Sequence, residues 1–255
     1  MTVTNNSGVR AVLLDLGDTL IHGNFTAGDS QQVWEEIYTT LINPHNDPAL
    51  PTLPYLRHCM DEKVRKVMAA TWALKTEEEQ NLPELFMSAF EAAGLKENLS
   101  VEFAHQVIAA EQRLLYDRIV EVGPTVFSTL EELRRRGYVL GLVSNFCNIT
   151  EVVYDNLNRL GLLEPFHQTI LSCEVGWRKP SPHIYRAICQ KLALEPAACL
   201  FVGDRLIEDV RGPQAFGMKA VLTQEYRVEE PTPEIQPQAV IKRLSELLEL
   251  PDNLL

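Results

Sequence analysis

Three apolar runs in the sequence each lead into a polar residue that can do chemistry. AVLL leads into Asp15, LGLV into Ser144 and LFVG into Asp204. Short apolar runs closed by turn residues are typical of buried strands in a parallel sheet. Open sheets of this kind bind their ligands at the carboxyl ends of the strands. We therefore expect two carboxylates and a hydroxyl at one ligand-binding edge of a sheet.

The elements that position these residues alternate between strand and helix patterns, which predicts an α/β fold with a doubly wound parallel sheet. One interval is too long for this fold. Asp15 and Ser144 lie 129 positions apart, whereas a βαβ crossover takes about 30 residues. Apolar spacing within the interval predicts helices without a strand between them. We expect a core domain of residues 1–25 and 120–255, and an inserted helical domain of residues 26–119 that is placed to act as a lid.

Charge and composition exclude several classes of function. The net charge of −12 over 255 residues argues against a broad nucleic-acid surface, which would need a basic face. A small phosphorylated substrate is compatible with that charge, because local cations and a metal ion can reverse the field inside a cleft. The sequence shows neither a signal-peptide pattern nor a membrane span, so we expect a cytoplasmic chain without a membrane partner. The five cysteines lack CxxC spacing, which favours free thiols.

Four motifs in this order resemble those of the haloacid dehalogenase-like (HAD) hydrolase superfamily. They are Asp15-Leu-Gly-Asp-Thr19, Ser144-Asn145, Lys179 within GWRKPSP, and Gly203-Asp204 with Asp209 in GDRLIED. The resemblance extends from about residue 9 to residue 222, and the helical insertion is similar to that superfamily's C1 cap. It implies a Rossmann-like core and a phosphatase-type hydrolase that acts on a small phosphorylated substrate.

The resemblance also implies roles for these residues. Asp15 would attack phosphorus and form an aspartyl-phosphate. Mg²⁺ would be held by Asp15, the backbone carbonyl of Gly17 and Asp204, because this ion binds through a few oxygen ligands together with phosphate oxygens. Asp209 would lie just outside the direct metal ligands or bind the metal through a water molecule.

Three further groups would contact the substrate phosphate, according to the same resemblance. The Ser144 hydroxyl would donate a hydrogen bond to a phosphoryl oxygen, and the Asn145 amide would assist it. Lys179 would supply positive charge to both the nucleophile and the phosphate, as phosphoryl transfer requires. Asp15, Ser144 and Lys179 are therefore the expected catalytic residues.

The first motif departs from the pattern of the superfamily's phosphatases. They usually carry an Asp two residues after the nucleophile, which protonates the leaving oxygen and later activates water; here that position is Gly17. In one interpretation Asp18 occupies a left-handed turn, which Asp tolerates, and the acid is lost. In another, a backbone shift lets Asp18 act as the acid. His22 is a third candidate for that role.

Loss of a general acid costs about 10²–10⁴ in rate. We therefore expect a slow enzyme, or one limited to substrates with good leaving groups such as acyl phosphates. The rival hypothesis is a catalytically weakened scaffold that binds a phosphorylated ligand or a protein partner. Dehalogenase chemistry fits less well, because it needs no metal and would give no reason to keep Asp204 and Asp209. The sequence leaves the substrate and the oligomeric state open.

Overall fold

A computed structural model describes residues 8–23, 26–74, 76–95, 99–251 and 254–255 of the chain. The chain divides into two compact units. The sheet unit comprises Met1–Gly23, Glu121–Phe146 and Leu157–Leu255. The helical unit comprises Asn24–Val120 and Cys147–Asn156.

A parallel sheet forms the centre of the sheet unit. The strands of the described residues are, in chain order, β1 (Ala11–Leu14), β2 (Ile21–Gly23), β3 (Val120–Val122), β4 (Val139–Ser144), β5 (Gln168–Leu171), β6 (Cys199–Gly203), β7 (Lys219–Thr223) and β8 (Ala239–Ile241). Six of them form one sheet in the order β5-β4-β1-β6-β7-β8, and the pairs are parallel. Strands β2 and β3 pair separately as a two-stranded sheet. The predicted α/β class is confirmed.

Helices account for most of the remaining described residues. The α-helices are α1 (Ala27–Ile37), α2 (Leu53–Met60), α3 (Lys66–Ala73), α4 (Leu82–Ala93), α5 (Val101–Ile119), α6 (Val126–Arg135), α7 (Thr150–Arg159), α8 (Ser172–Val175), α9 (Pro182–Leu192) and α10 (Gly212–Phe216). Shorter π-helical segments are Tyr38–Ile42, Asp61–Arg65 and Leu206–Arg211, and 3₁₀ segments are Pro196–Ala198 and Leu244–Glu249. None of the described helices has the length and apolar character that crossing a membrane requires.

The register of the sheet sets which residues meet at its carboxyl edge. Leu14, the last residue of β1, lies beside Leu142 of β4 on one side and Val202 of β6 on the other. The backbone amide of Asp15 continues the pairing by donating to the Val202 carbonyl over 2.9 Å. Asp15, Ser144 and Asp204 therefore stand at the ends of three neighbouring strands, as the sequence predicts.

Each unit has its own apolar core. In the sheet unit, side chains of β1 and β6 pack against α9, with Leu13, Phe201 and Ile188 all inaccessible to solvent. In the helical unit, the buried apolar side chains include Val33, Leu56, Phe86, Phe90, Val107 and Ile108. None of the five cysteines, all of which lie in the described residues, forms a disulfide, as expected, and three of them are buried.

Candidate active site

Three carboxylates converge at the carboxyl edge of the sheet. Asp15 follows β1 directly, Asp204 follows β6 directly, and Asp209 lies in the π-helical segment that comes next. One oxygen from each carboxylate lies within 4.8 Å of the other two, and all three residues are buried. Buried carboxylates are costly unless they are paired or bind a metal ion. The cluster thus requires cations.

Lys179 supplies one cation inside this cluster. Its ammonium Nζ lies 2.5 Å from Asp15 Oδ1 and 2.7 Å from Asp209 Oδ1, and the residue is only 3% exposed. Asn145 fixes the lysine backbone, because its amide Nδ2 donates to the Lys179 carbonyl over 3.0 Å and its Oδ1 accepts from the Lys179 amide over 2.7 Å. The expected proximity of Lys179 to Asp15 is present in the structure.

Burial shifts the pKa values of the cluster, and the neighbouring charges modify that shift. Burial raises the pKa of Asp15 from 3.8 to about 6, against the opposing charge of Lys179. Burial, reinforced by the charges of Asp15 and Asp209, raises the pKa of Asp204 from 3.8 to about 8. Burial alone would lower the pKa of Lys179, but its two carboxylate partners outweigh that effect and raise it. One lysine does not neutralise three buried carboxylates.

Asp209 is held by backbone groups as well as by the lysine. Its Oδ2 accepts a hydrogen bond from the Arg205 amide over 3.0 Å, and its own amide donates to the Arg205 carbonyl over 2.9 Å. Both oxygens of Asp209 thus accept hydrogen bonds, one from Lys179 and one from the chain immediately after Asp204. This arrangement suits a supporting position better than a direct ligand position.

The turn after β1 settles the conformation of Asp18. Its φ angle is 55°, so the prediction of a left-handed turn is confirmed. Its Oδ1 lies 2.9 Å from Nδ1 of His22, and its Oδ2 accepts from the Arg227 guanidinium over 2.6 Å. Gly17 beside it is exposed, and a β-carbon there would meet no atom within 4 Å. The backbone shift that would place Asp18 in the acid's role is not seen.

Arg227 is a member of the site that sequence reasoning missed. Its Nε donates to Asp204 Oδ2 over 2.6 Å, while another nitrogen of the same guanidinium binds Asp18. The loop that carries it is fixed to the Asp204 loop, because the Glu229 carboxylate accepts from the Leu206 amide over 2.8 Å. The sequence around it shows only a polar, proline-rich connection, a context in which an arginine carries no functional signal.

Three other residues singled out from the sequence, Ser144, Asn145 and His22, lie outside the carboxylate cluster itself. Ser144 is the buried last residue of β4, next to β1 at the carboxyl edge. The Asn145 side chain holds the backbone of Lys179, a positioning role that the sequence did not indicate. His22 lies in β2, and its ring stacks on Tyr226 with the ring centroids 4.7 Å apart.

Comparisons with known proteins agree with this geometry. The chain is 33% identical over 130 residues to a glyceraldehyde 3-phosphate phosphatase of Methanopyrus kandleri, covering 50% of this chain and 55% of that one. It is 31% identical over 138 residues to a phosphoserine phosphatase of Thermus thermophilus, covering 54% of this chain and 52% of that one. The matched segments thus span about half the length of these relatives.

The fold is likewise shared with solved structures. A 2-haloacid dehalogenase from Pseudomonas syringae pv. Tomato DC3000 superposes with a TM-score of 0.69 at 20% identity, over 94% of this chain and 97% of that one. Residues 9–217 match the family described as haloacid dehalogenase-like hydrolase. The chain therefore belongs to the haloacid dehalogenase-like hydrolases.

Proposed function

We propose that this protein is a Mg²⁺-dependent phosphohydrolase that acts on a small phosphorylated metabolite through an aspartyl-phosphate on Asp15. The observation that carries the proposal is the buried group of Asp15, Asp204 and Asp209 around Lys179. A carboxylate nucleophile beside further acids and a lysine provides what phosphoryl transfer needs, namely an in-line nucleophile and cationic stabilisation.

The donor set fits a hard divalent cation. Lys179 pairs with Asp15 and Asp209, and Arg227 pairs with Asp18 and Asp204. Two cations thus face four carboxylates, which leaves two negative charges uncompensated. Lys179 contacts one oxygen of Asp15, and Arg227 contacts one oxygen of Asp204, so each carboxylate retains a second oxygen as a metal ligand. Carboxylate oxygens with room for phosphate and water ligands suit Mg²⁺.

In this proposal the metal ligands are Asp15, Asp204 and the backbone carbonyl of Gly17. Asp209 lies next to these ligands and does not bind the metal directly. The bound ion would neutralise charge on the phosphoryl oxygens and so allow two anions to approach each other. The protein's own groups do the rest. The Asp15 carboxylate attacks phosphorus, Lys179 holds that carboxylate in place, and the Ser144 hydroxyl donates to a phosphoryl oxygen.

The relatives support the proposed substrate class. The two curated relatives are named for glyceraldehyde 3-phosphate and phosphoserine, both small phosphorylated metabolites. The helical domain of residues 26–119 would act as a C1-type cap that selects the substrate. The cytoplasmic location expected from the sequence stays a prediction.

Phosphate release tests this function directly. We expect the purified chain to release inorganic phosphate from an aryl or acyl phosphate in Mg²⁺, and to stop when a chelator is added. Asp15→Asn keeps the size of the side chain but removes the nucleophile, and should abolish release. Release that is indifferent to both chelator and Asp15→Asn would contradict the proposal.

Metal binding needs a readout separate from turnover. We expect Mg²⁺ to raise the melting temperature of the wild-type protein, and Asp204→Asn to weaken that shift. The rival scaffold hypothesis predicts binding of a phosphorylated ligand with no phosphate release by the wild-type protein, so the two measurements together distinguish it from a phosphatase.

A further inference from the structure

The turn that follows the proposed nucleophile carries no acidic side chain at its second position. Gly17, two residues after Asp15, has no side chain. Asp18 has both carboxylate oxygens engaged, Oδ1 with His22 and Oδ2 with Arg227. A guanidinium can only donate and does not lose its proton in proteins, so Oδ2 of Asp18 is an acceptor in this arrangement. Both carboxylate oxygens of Asp18 are thus paired with neighbouring side chains, Oδ1 with His22 and Oδ2 with Arg227.

Three further groups near the turn, Lys179, Asp204 and His22, have partners in the structure. Lys179 is hydrogen-bonded to two carboxylates, those of Asp15 and Asp209. Asp204 would be ionised when it holds the metal. The His22 ring is hydrogen-bonded to Asp18 through Nδ1. It also stacks on the Tyr226 ring, with an angle of 7° between the two ring planes. The described sheet unit thus presents no side chain at position 17, and the acid beside that position is paired with Arg227 and His22.

We propose that this site hydrolyses acyl phosphates in preference to phosphate esters of alcohols, a substrate class that rests on the phosphohydrolase function proposed above. A carboxylic acid has a pKa of about 4, so its carboxylate leaves at neutral pH without a proton. An alkoxide is many pKa units more basic and needs a general acid, whose absence costs about 10²–10⁴ in rate.

Both chemical steps balance without an acid. In the first, an Asp15 oxygen bonds to phosphorus, the bond from phosphorus to the acyl oxygen breaks, and the electron pair leaves with the carboxylate. In the second, a water oxygen bonds to phosphorus and the Asp15 carboxylate leaves. Both protons of that water end on the released dihydrogen phosphate. The second step thus expels the same kind of leaving group as the first.

A matched pair of substrates isolates the leaving group from the fit in the pocket. Benzoyl phosphate and benzyl phosphate have the same ring and nearly the same length, but the first expels a carboxylate and the second an alkoxide. We expect kcat/KM for benzoyl phosphate to exceed that for benzyl phosphate by about 10²–10⁴, the range that a missing general acid explains. Asp15→Asn provides the blank for spontaneous hydrolysis of the acyl phosphate.

Position 17 provides a matched pair of variants. A β-carbon on Gly17 meets no atom within 4 Å, so neither Gly17→Asp nor Gly17→Asn creates a clash at that carbon. The two side chains have nearly the same size, but only Asp carries a transferable proton. We expect Gly17→Asp to raise the benzyl-to-benzoyl ratio of kcat/KM by about 10² or more, and Gly17→Asn to give no such rise.

The outcomes separate this inference from the function on which it rests. Two outcomes would overturn the leaving-group inference and leave the phosphohydrolase function standing. One is an equal kcat/KM of the wild-type protein for benzoyl and benzyl phosphate. The other is the same rise in the benzyl-to-benzoyl ratio with Gly17→Asn as with Gly17→Asp. No phosphate release from either substrate in Mg²⁺ would overturn the function itself, and this inference with it.

Discussion

The Asp209 carboxylate lies directly against the backbone of Gly203. A β-carbon on residue 203 would stand 2.5 Å from Oδ2 of Asp209 and 2.6 Å from its Cβ, closer than real β-carbons approach any atom. The glycine before Asp204 therefore makes room for the acid that shares Lys179 with the nucleophile.

We predict that Gly203→Ala displaces Asp209 and lowers the rate of phosphate release per folded molecule by at least about tenfold, since small misplacements of catalytic groups are costly. Gly141 in β4 is the matched control, because its added β-carbon would stand 2.7 Å from the Leu13 side chain and not against an acid. Gly141→Ala should lower the melting temperature but spare the rate per folded molecule. A fully active Gly203→Ala protein would contradict the prediction.

The ends of the strands can be predicted from the sequence, because a buried strand is a run of apolar residues and the turn after it contains polar residues or glycine. Asp15, Ser144 and Asp204 follow apolar runs, and the parallel register brings these strand ends to one edge. The order of the motifs adds Lys179 and Asp209. These five residues could be selected from the sequence alone.

What the sequence does not encode locally is the pairing of side chains across loops. Arg227 reaches Asp18 across 209 positions, and nothing in its own loop distinguishes it from a solvated arginine. The Asn145 amide likewise shows no sign in the sequence that it binds the Lys179 backbone. The structure assigns segment Cys147–Asn156 to the helical unit. The sequence predicts it as part of the core domain, because it follows a strand of the sheet.

Lys179 is predicted to matter for both stability and rate. Lys179→Met removes the cation that bridges Asp15 and Asp209 and leaves both carboxylates buried. Loss of one member of a buried ion pair costs about 3–5 kcal/mol. Loss of positive charge at the phosphate should lower kcat by about 10²–10³. Denaturant unfolding and phosphate release measure the two effects.

An exposed lysine of α9 provides the control for that substitution. Lys191→Met should change the free energy of unfolding by no more than about 0.5 kcal/mol, as surface substitutions usually do. If Lys179→Met unfolds as the wild-type protein does, the buried ion pairs described here are not formed in solution.

The pH dependence of the metal-free protein follows from Asp15 and Asp204. Their folded pKa values of about 6 and about 8 lie above the ordinary 3.8, so the folded state binds more protons than the unfolded state within these ranges. The free energy of unfolding therefore falls as pH rises from about 4 to about 8, by up to about 1.4 kcal/mol per pH unit for each proton held. Above pH 6 only Asp204 contributes.

Thermal denaturation in chelator between pH 6 and pH 8 measures this slope. Asp204→Asn cannot ionise and should flatten it. Mg²⁺ binds the ionised carboxylates, so its stabilising effect should grow over the same range, because metal affinity rises as ligands lose their protons. A slope that survives Asp204→Asn unchanged would assign the effect to other groups.

A double-mutant cycle tests whether Arg227 holds Asp18. Asp18→Asn is the suitable change at this position, because Asn tolerates the left-handed backbone at φ 55° that would strain alanine. Arg227→Gln removes the charge at the other end. The two side chains are 26% and 37% exposed, so solvent screens the pair and we expect a coupling energy of only about 1 kcal/mol.

The cycle is measured by denaturant unfolding at low and high salt. The two single losses should sum to more than the loss in the double variant, since each removes the same interaction, and salt should shrink the difference, because it screens partly exposed charges. Losses that add to within about 0.3 kcal/mol at low salt would mean that the guanidinium does not hold Asp18. The preference for acyl phosphates would then lose its first support, the pairing of Asp18 with Arg227.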